Sequence, residues 1–123
     1  MIYGHGIDIV EVSRIQKAVE NSKNFKHRIF TELEIDYCES MHNKYPSYAA
    51  RFAAKEAFLK AMGTGLTRGI LWKDIEVIND EYGKPQISLH SVAKEIYDDF
   101  CLSRIFVSLS HTKSSAIASV ILL

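Results

Sequence analysis

Two carboxylates stand in segments that otherwise have the pattern of packed structure. Asp8 follows Gly4 and Gly6 on one face of a short alternating strand, and Glu56 lies inside the apolar run of a helix. A buried carboxylate is costly unless it is paired or holds a metal ion. Because Mg²⁺ in proteins is commonly held by one or two carboxylates together with substrate phosphates, Asp8 and Glu56 are candidate ligands of such an ion.

Each of these acids also has a purely structural explanation. Glu56 and Lys60 are four residues apart, and an ion pair at that spacing on a solvated helix contributes only about 0.2–0.5 kcal/mol. Asp8 could equally cap a turn or pair with an arginine. If the two acids instead hold a phosphate-bound ion, then Lys60, Lys55 and Arg51 of the same helix would bring positive charge to the phosphates. The spacing alone leaves both interpretations open.

A third candidate is His111, which begins a short polar turn between two strands. A lone histidine in such a turn is a solvated residue, a phosphate contact or a general base. Other common chemistries lack their motifs, because the chain has no Gly-Lys-Ser/Thr phosphate loop, no HExxH and no GxSxG. Cys38 and Cys101 have no metal-ligand spacing, so two reduced thiols in a cytoplasmic protein are expected.

The elements that must position these residues show the hydrophobic periodicity of strands in some segments and that of helices in others. Residues 2–10 alternate as a strand, with Ile7 and Ile9 on the face opposite Asp8. Capping boxes at Ser13 with Gln16 and at Thr31 with Glu34 predict the starts of two helices. The longest helix is predicted to start after Pro46-Ser47 and to run to Met62, and the remaining elements are strands 74–79 and 85–89, a helix over 91–100 capped by Ser91, and strands 104–110 and 114–122. This order predicts a single α+β domain over 1–123, with an antiparallel sheet packed against the long helix.

The charges cancel in sum but not in distribution. The 123 residues contain 15 Lys+Arg and 15 Asp+Glu, which argues against a protein that holds duplex nucleic acid through phosphates. Residues 44–73 carry six cations and one acid, whereas residues 74–99 carry seven acids and two lysines. No apolar run approaches the roughly 18 residues of a membrane span, so no membrane partner is expected. A hydrophobic content of 47% is typical of a globular domain and excludes a disordered chain.

Basic residues also gather on and after the first predicted helix. Arg14 and Lys17 project from its outer face, and Lys23, Lys26 and Arg28 follow. Such a face is either simply solvated or suited to an acidic partner, whose encounter it would accelerate.

In combination these motifs resemble a known family. Gly6-Ile7-Asp8, followed downstream by the sequence from Phe52 to Ala61, is similar to the paired signature of the 4′-phosphopantetheinyl transferase superfamily. Gly63-Thr64-Gly65, Gly83-Lys84-Pro85 and the sequence from Ser108 to Thr112 agree with it in the family's order. The resemblance spans nearly the whole chain, and the length is that of the bacterial class with one half-sized unit. Members of that class are homotrimers with active sites between subunits.

The resemblance implies transfer of 4′-phosphopantetheine from coenzyme A to a serine of an apo-acyl carrier protein in fatty acid biosynthesis. Asp8 and Glu56 would be the Mg²⁺ ligands, and Lys60 would complete the catalytic set by stabilising the pyrophosphate. The coenzyme A contacts would be Arg51, Lys60, Gly83, Lys84, Pro85, His111 and Thr112. The carrier-docking candidates are Arg14, Lys17, Lys26 and Arg28.

Two other functions stay open at this stage. A non-catalytic module could use the basic helix to hold an acidic partner or a nucleotide, and it would need no Mg²⁺. A small hydrolase with His111 as its general base would consume coenzyme A without any carrier protein.

Overall fold

The chain forms five helices and five strands, and the computed structural model describes all residues, 1–123. The elements, in chain order, are β1 Gly4–Glu11, α1 Val12–Asn21, α2 Lys23–Ile29, α3 Glu32–Ser40, α4 Lys44–Met62, β2 Ile75–Asn79, β3 Pro85–Leu89, α5 Ser91–Asp99, β4 Ile105–His111 and β5 Ser115–Leu122. A single 3₁₀ turn, Trp72–Asp74, leads into β2. None of the helices is long and apolar enough to cross a membrane.

The strands form two antiparallel sheets. One has three strands in the order β1-β5-β4, and the other pairs β2 with β3. The α+β prediction with antiparallel pairing is therefore confirmed. The turn between β2 and β3 lies where the sequence places it, whereas β4 and β5 each begin one residue later than predicted, so His111 ends β4 instead of beginning the turn.

Helix α4 is the centre of the molecule. It has 19 residues, most of them buried, and it packs against β1 and β5 of the larger sheet. The hydrophobic core is one cluster of 28 buried residues to which both sheets and all five helices contribute. The helix ends at Met62 because Gly63 takes a left-handed backbone conformation, with φ of 76°, as the sequence predicts.

Two predicted helix caps differ from the structure. Helix α1 begins at Val12, and Glu11 precedes it without a side-chain capping bond, so the Ser13 and Gln16 capping box is wrong. Helix α5 is preceded by His90, so the cap expected at Ser91 is wrong as well. The observed cap therefore lies two residues before the predicted one at α1 and one residue before it at α5. The Thr31 and Glu34 box is confirmed, with both reciprocal bonds present.

The basic segment after the first helix is also different from the expectation. It forms a separate helix, α2, with Ser22 as its N-terminal cap: the Ser22 side chain accepts a hydrogen bond from the backbone N–H of Phe25. Seven residues carry too little periodicity for a reliable prediction of a helix, since packing stabilises short helices more than local propensity does.

Candidate functional site

The glycine-bearing face of β1 lies directly on α4. Gly6 and Val10 are buried on this face, whereas Ile7 and Ile9 point outward and are more than half exposed. A Cβ atom at Gly4 or Gly6 would overlap a backbone carbonyl of α4, so only glycine permits this approach. Asp8 shares this inward face, and the close approach brings its carboxylate to the surface of α4 near Lys60.

Lys60 binds the strand rather than its own helix. Its Nζ donates to Asp8 Oδ1 at 3.1 Å and to the carbonyl oxygen of Ile7 at 3.0 Å. The Glu56–Lys60 ion pair that the helical spacing suggested is therefore not formed. Helix spacing alone could not identify the competing partner, because Asp8 is 52 residues away in sequence.

Glu56 lies half-buried beside this pair. Burial raises the pKa of Glu56 above its ordinary value, and the nearby Asp8 carboxylate raises it further, while Lys60 and Arg14 oppose the rise. A cation shared by the two carboxylates would favour the charged form of Glu56. Their side chains supply two oxygen-ligand groups, which is the number that Mg²⁺ commonly takes from protein when phosphates complete its shell. Asp8 and Glu56 are therefore the residues that could hold a magnesium ion.

The predicted nucleotide contacts meet at a second place. Arg51, Gly83, Pro85 and His111 line one cavity of about 220 Å³, between α4 and the turns of both hairpins. These residues come from segments as far apart as 60 positions, so the structure brings together four members of the predicted set.

Arg51 is the charged group of this cavity. It is 4% exposed, and no carboxylate lies within ion-pair distance of its guanidinium. The guanidinium lies 4.0 Å from the ring centre of Tyr37, Nη2 donates to Asn79 Oδ1 at 2.5 Å, and the buried Nε has no hydrogen-bond partner. A buried cation without an acid is costly. The arrangement is chemically suited to a bound anion, and a phosphate matches the planar fork of an arginine.

Two further predicted contacts lie at exposed positions in the turns of the two hairpins. Lys84 is exposed in the β2–β3 turn, and its backbone N–H donates to Asp80 Oδ1. Thr112 is exposed as well, and its hydroxyl accepts hydrogen bonds from the backbone N–H groups of Ser114 and Ser115. His111 precedes it at the end of β4. Thr112 therefore shapes the hairpin that presents the histidine.

Lys55 does not contribute charge to phosphates, and that part of the sequence interpretation is wrong. The side chain is fully buried; Nζ donates to Glu34 Oε1 at 2.8 Å and to the carbonyl oxygens of Trp72 and Ile75. Burial lowers the pKa of Lys55, while Glu34 raises it. Lys55 faces α3 and β2, so it stabilises the packing of these elements around α4.

The four docking candidates divide between two helices. Arg14 and Lys17 are exposed on α1, whereas Lys26 and Arg28 belong to α2. Lys26 Nζ lies 3.7 Å from Glu39 Oε2, which partly neutralises it. Arg14 is close enough to Glu56 to lower the pKa of that carboxyl, so α1 borders the carboxylate cluster.

Sequence reasoning missed Tyr37 and Asn79, which both contact Arg51. Asn79 precedes the turn Asp80–Lys84, a place where an amide is an ordinary turn residue, and nothing local indicates that it reaches α4. Tyr37 gives no signal either, because an aromatic residue on α3 has the pattern of a core position.

The fold and these two groups of side chains define a small α+β protein built to hold a phosphate-bearing ligand around one helix. The sequence model of the 4′-phosphopantetheinyl transferase superfamily matches residues 4–118. The holo-[acyl-carrier-protein] synthase of Geobacter sp. (strain M21) is 50% identical over 99% of this chain and 98% of its own length. This chain belongs to the 4′-phosphopantetheinyl transferase superfamily.

Solved structures agree with this assignment. The crystal structure of holo-[acyl-carrier-protein] synthase from Neisseria meningitidis superposes with a TM-score of 0.92 at 32% identity, covering 100% of this chain and 99% of that one. The Helicobacter pylori holo-[acyl-carrier-protein] synthase, solved in complex with coenzyme A, gives a TM-score of 0.85 at 34% identity, with 97% and 99% covered.

Proposed function

We propose that this chain transfers 4′-phosphopantetheine from coenzyme A to a serine hydroxyl of apo-acyl carrier protein and releases adenosine 3′,5′-bisphosphate. The relatives named holo-[acyl-carrier-protein] synthase and the coenzyme A complex of one of them support the reaction and its substrates. The observation that carries the proposal is that α4 presents two separate groups of charged side chains. Near β1, Lys60 lies beside the carboxylates Asp8 and Glu56. Elsewhere on the helix, the buried Arg51, which has no acidic partner, faces a cavity.

The chemistry requires positioning and charge neutralisation more than a protein nucleophile. The serine oxygen forms a new bond to the phosphorus of the phosphopantetheine group, and the pyrophosphate bond to the adenosine bisphosphate breaks. Lys60, exposed beside Asp8, would stabilise the negative charge that accumulates on the pyrophosphate oxygens. Asp8 and Glu56 would hold Mg²⁺, which would neutralise the same oxygens. Arg51, His111 and Thr112 would bind the 3′-phosphate. The adenine would lie at Gly83, Lys84 and Pro85.

A homotrimer with sites between subunits is part of the proposal. Arg51 and Lys60 are nine residues, or about two and a half turns, apart on α4, so they point to opposite sides of the helix and lie roughly 13.5 Å apart along its axis. One ligand would join the two groups more readily if each came from a different copy. The outer face of the large sheet exposes Ile7, Ile9 and Phe106, at 52%, 68% and 41%. A second copy would cover such apolar surface. Sedimentation equilibrium at three times the monomer mass would support this assembly, and a monomer would exclude it.

The proposed partner and cellular location rest on the basic side chains of α1 and α2 and on the two free cysteines. The exposed cations Arg14, Lys17 and Arg28, with Lys26 beside them, form a surface suited to an acidic carrier protein. Both cysteines are free, which fits a reducing compartment, and we propose the cytoplasm.

Intact-mass measurement tests the reaction directly. The protein, coenzyme A, Mg²⁺ and an apo-acyl carrier protein are incubated together, and the carrier gains the mass of phosphopantetheine. A non-catalytic module would leave the carrier unchanged, and a hydrolase would consume coenzyme A in a reaction without carrier. An unchanged mass with several carriers, or consumption of coenzyme A in the absence of carrier, would contradict the proposed function.

A further inference from the structure

We infer that Asn79 is a positioning residue for nucleotide recognition: its side-chain amide joins Arg51 of α4 to Gly83 of the β2–β3 turn. The carbonyl oxygen Oδ1 accepts from Arg51 Nη2 at 2.5 Å, and Nδ2 donates to the carbonyl oxygen of Gly83 at 2.9 Å. One amide thus ties together the two segments proposed for the 3′-phosphate and the adenine. The inference rests on the proposed function for the identity of the ligand.

Arg51 needs such a tether because it has space on two sides. It lines the 220 Å³ cavity that contains Gly83 and His111, and also a second cavity of about 320 Å³ whose apolar wall includes Leu33 and Val77. Tyr37 lies against the face of the guanidinium but accepts no hydrogen bond from it. The Asn79 carbonyl is therefore the one hydrogen-bond acceptor that holds the guanidinium in its observed direction.

Asn79 is also separable from the rest of its turn. Asp80 organises the turn itself, because Oδ1 accepts from the backbone N–H groups of Tyr82 and Lys84. Asn79 alone reaches from the turn to α4 by a side-chain bond. An amide is well suited to this task, since it offers an acceptor to the arginine and a donor to the carbonyl without adding a charge that would neutralise the cation.

Binding of coenzyme A and of 3′-dephospho-coenzyme A separates this role from a general structural one. We expect Asn79→Leu to weaken coenzyme A binding, measured by calorimetry, by about tenfold or more, because a hydrogen bond to a charged group is lost. Binding of 3′-dephospho-coenzyme A should change less than about threefold, since it makes no demand on Arg51 and Asp80 still organises the turn proposed for the adenine. Asp80→Ala is the matched control, and any loss that it causes should be equal for both ligands.

A double substitution tests whether Asn79 acts through Arg51. On an Arg51→Gln background, Asn79→Leu should cause no further loss of coenzyme A binding, because the group that it positions is gone. Equal losses for both ligands, fully additive losses in the double variant, or unchanged binding by Asn79→Leu would each overturn the inference.

Asn79→Asp serves if the leucine variant does not fold. It keeps the size and the acceptor, loses the donor to Gly83 and neutralises Arg51, so it should abolish the preference for the 3′-phosphate. A wild-type preference in this variant would overturn the inference.

These binding titrations need no turnover. Failure of carrier modification would therefore contradict the proposed reaction, but the titrations would still test the positioning role of Asn79. Wild-type protein that binds both ligands equally would overturn the positioning role and leave the transfer reaction standing.

Discussion

Gly6 lies against the carbonyl group of Ala57, so closely that a Cβ atom at Gly6 would stand 1.9 Å from the oxygen. Both partners are backbone in regular elements, so neither can move cheaply. We expect Gly6→Ala to lower the free energy of unfolding by about 3 kcal/mol or more, at or beyond the usual cost of overpacking. It should also abolish transfer in the fraction that stays folded, because β1 moves off α4 and carries Asp8 with it. Urea denaturation and a transfer assay at low temperature check the two effects.

Glu11→Ala is the control for this strand. Glu11 is the exposed last residue of β1 and makes no side-chain capping bond to α1, so its loss should change stability by less than about 0.5 kcal/mol. A Gly6→Ala protein with wild-type stability and activity would contradict the claim that this contact positions Asp8.

Conservative substitutions of Asp8 and Glu56 should sharply reduce the rate of transfer. Asp8→Asn and Glu56→Gln keep the volume and remove one charge each, and we expect each to reduce transfer by about 100-fold or more. Chelation of divalent cations should abolish transfer by the wild-type protein, and added Mg²⁺ should restore it. A magnesium titration of initial rates with coenzyme A and apo-carrier checks the assignment.

Thermal melting of both variants provides the control, since each should keep a cooperative transition. Near-normal rates at limiting Mg²⁺ in either variant would remove that residue from the ion site. Full wild-type activity in the presence of chelator would remove the ion from the mechanism altogether.

The sequence pattern predicted the order of most elements and named candidate residues that the fold brings together in two groups, but it could not assign directions to side chains. Alternation in β1 separates Asp8 from Ile7 without telling which face is buried, since the apolar face is the exposed one here. Helical spacing paired Lys60 with Glu56, whereas the glycines of β1 bring Asp8 closer. Long-range contacts of this kind depend on backbone approach, which a residue's neighbours in sequence do not encode.

Substitution of Arg14 should change the KM for carrier protein far more than the KM for coenzyme A. Because it is exposed on α1 beside the carboxylate cluster, Arg14→Glu should raise the KM for carrier protein by about tenfold through slower encounter. The KM for coenzyme A should change less than about twofold, and the wild-type KM for carrier should rise with salt. Lys94→Glu, the same charge reversal on α5, is the control and should leave both values unchanged. Equal losses for both substrates would contradict a docking role for Arg14.

Glu76 predicts a dependence of stability on pH. Burial alone would raise its pKa, but hydrogen bonds from Thr31 and His90 outweigh burial, and the net pKa lies below the ordinary value. A carboxyl with a lowered pKa in the folded state stabilises the protein above its unfolded pKa of about 4.3 and loses that contribution as pH falls through the folded pKa. The difference in unfolding free energy between wild type and Glu76→Gln should therefore be constant near neutral pH and shrink below about pH 4.3.

Urea denaturation from pH 7 down to pH 3 measures this difference. Glu81→Gln makes the same charge change at an exposed position in the β2–β3 turn, and its difference from wild type should stay nearly flat. A Glu76→Gln difference that grows as the pH falls would mean that the hydrogen bonds do not favour the charged carboxylate.

Lys55 separates a structural cation from a functional one within the same helix. Substitution by methionine leaves Glu34 buried without its partner, and we expect Lys55→Met to cost about 3–5 kcal/mol of stability. The double variant with Glu34→Gln should recover part of this loss, because the remaining side chain is neutral and still accepts a backbone hydrogen bond. Urea denaturation of both single variants and the double variant gives the coupling free energy.

Coenzyme A affinity of folded Lys55→Met should stay within about twofold of wild type, whereas Arg51→Gln, on the same helix, should lose about tenfold. A comparable loss of affinity in both variants would show that Lys55 contributes to phosphate binding.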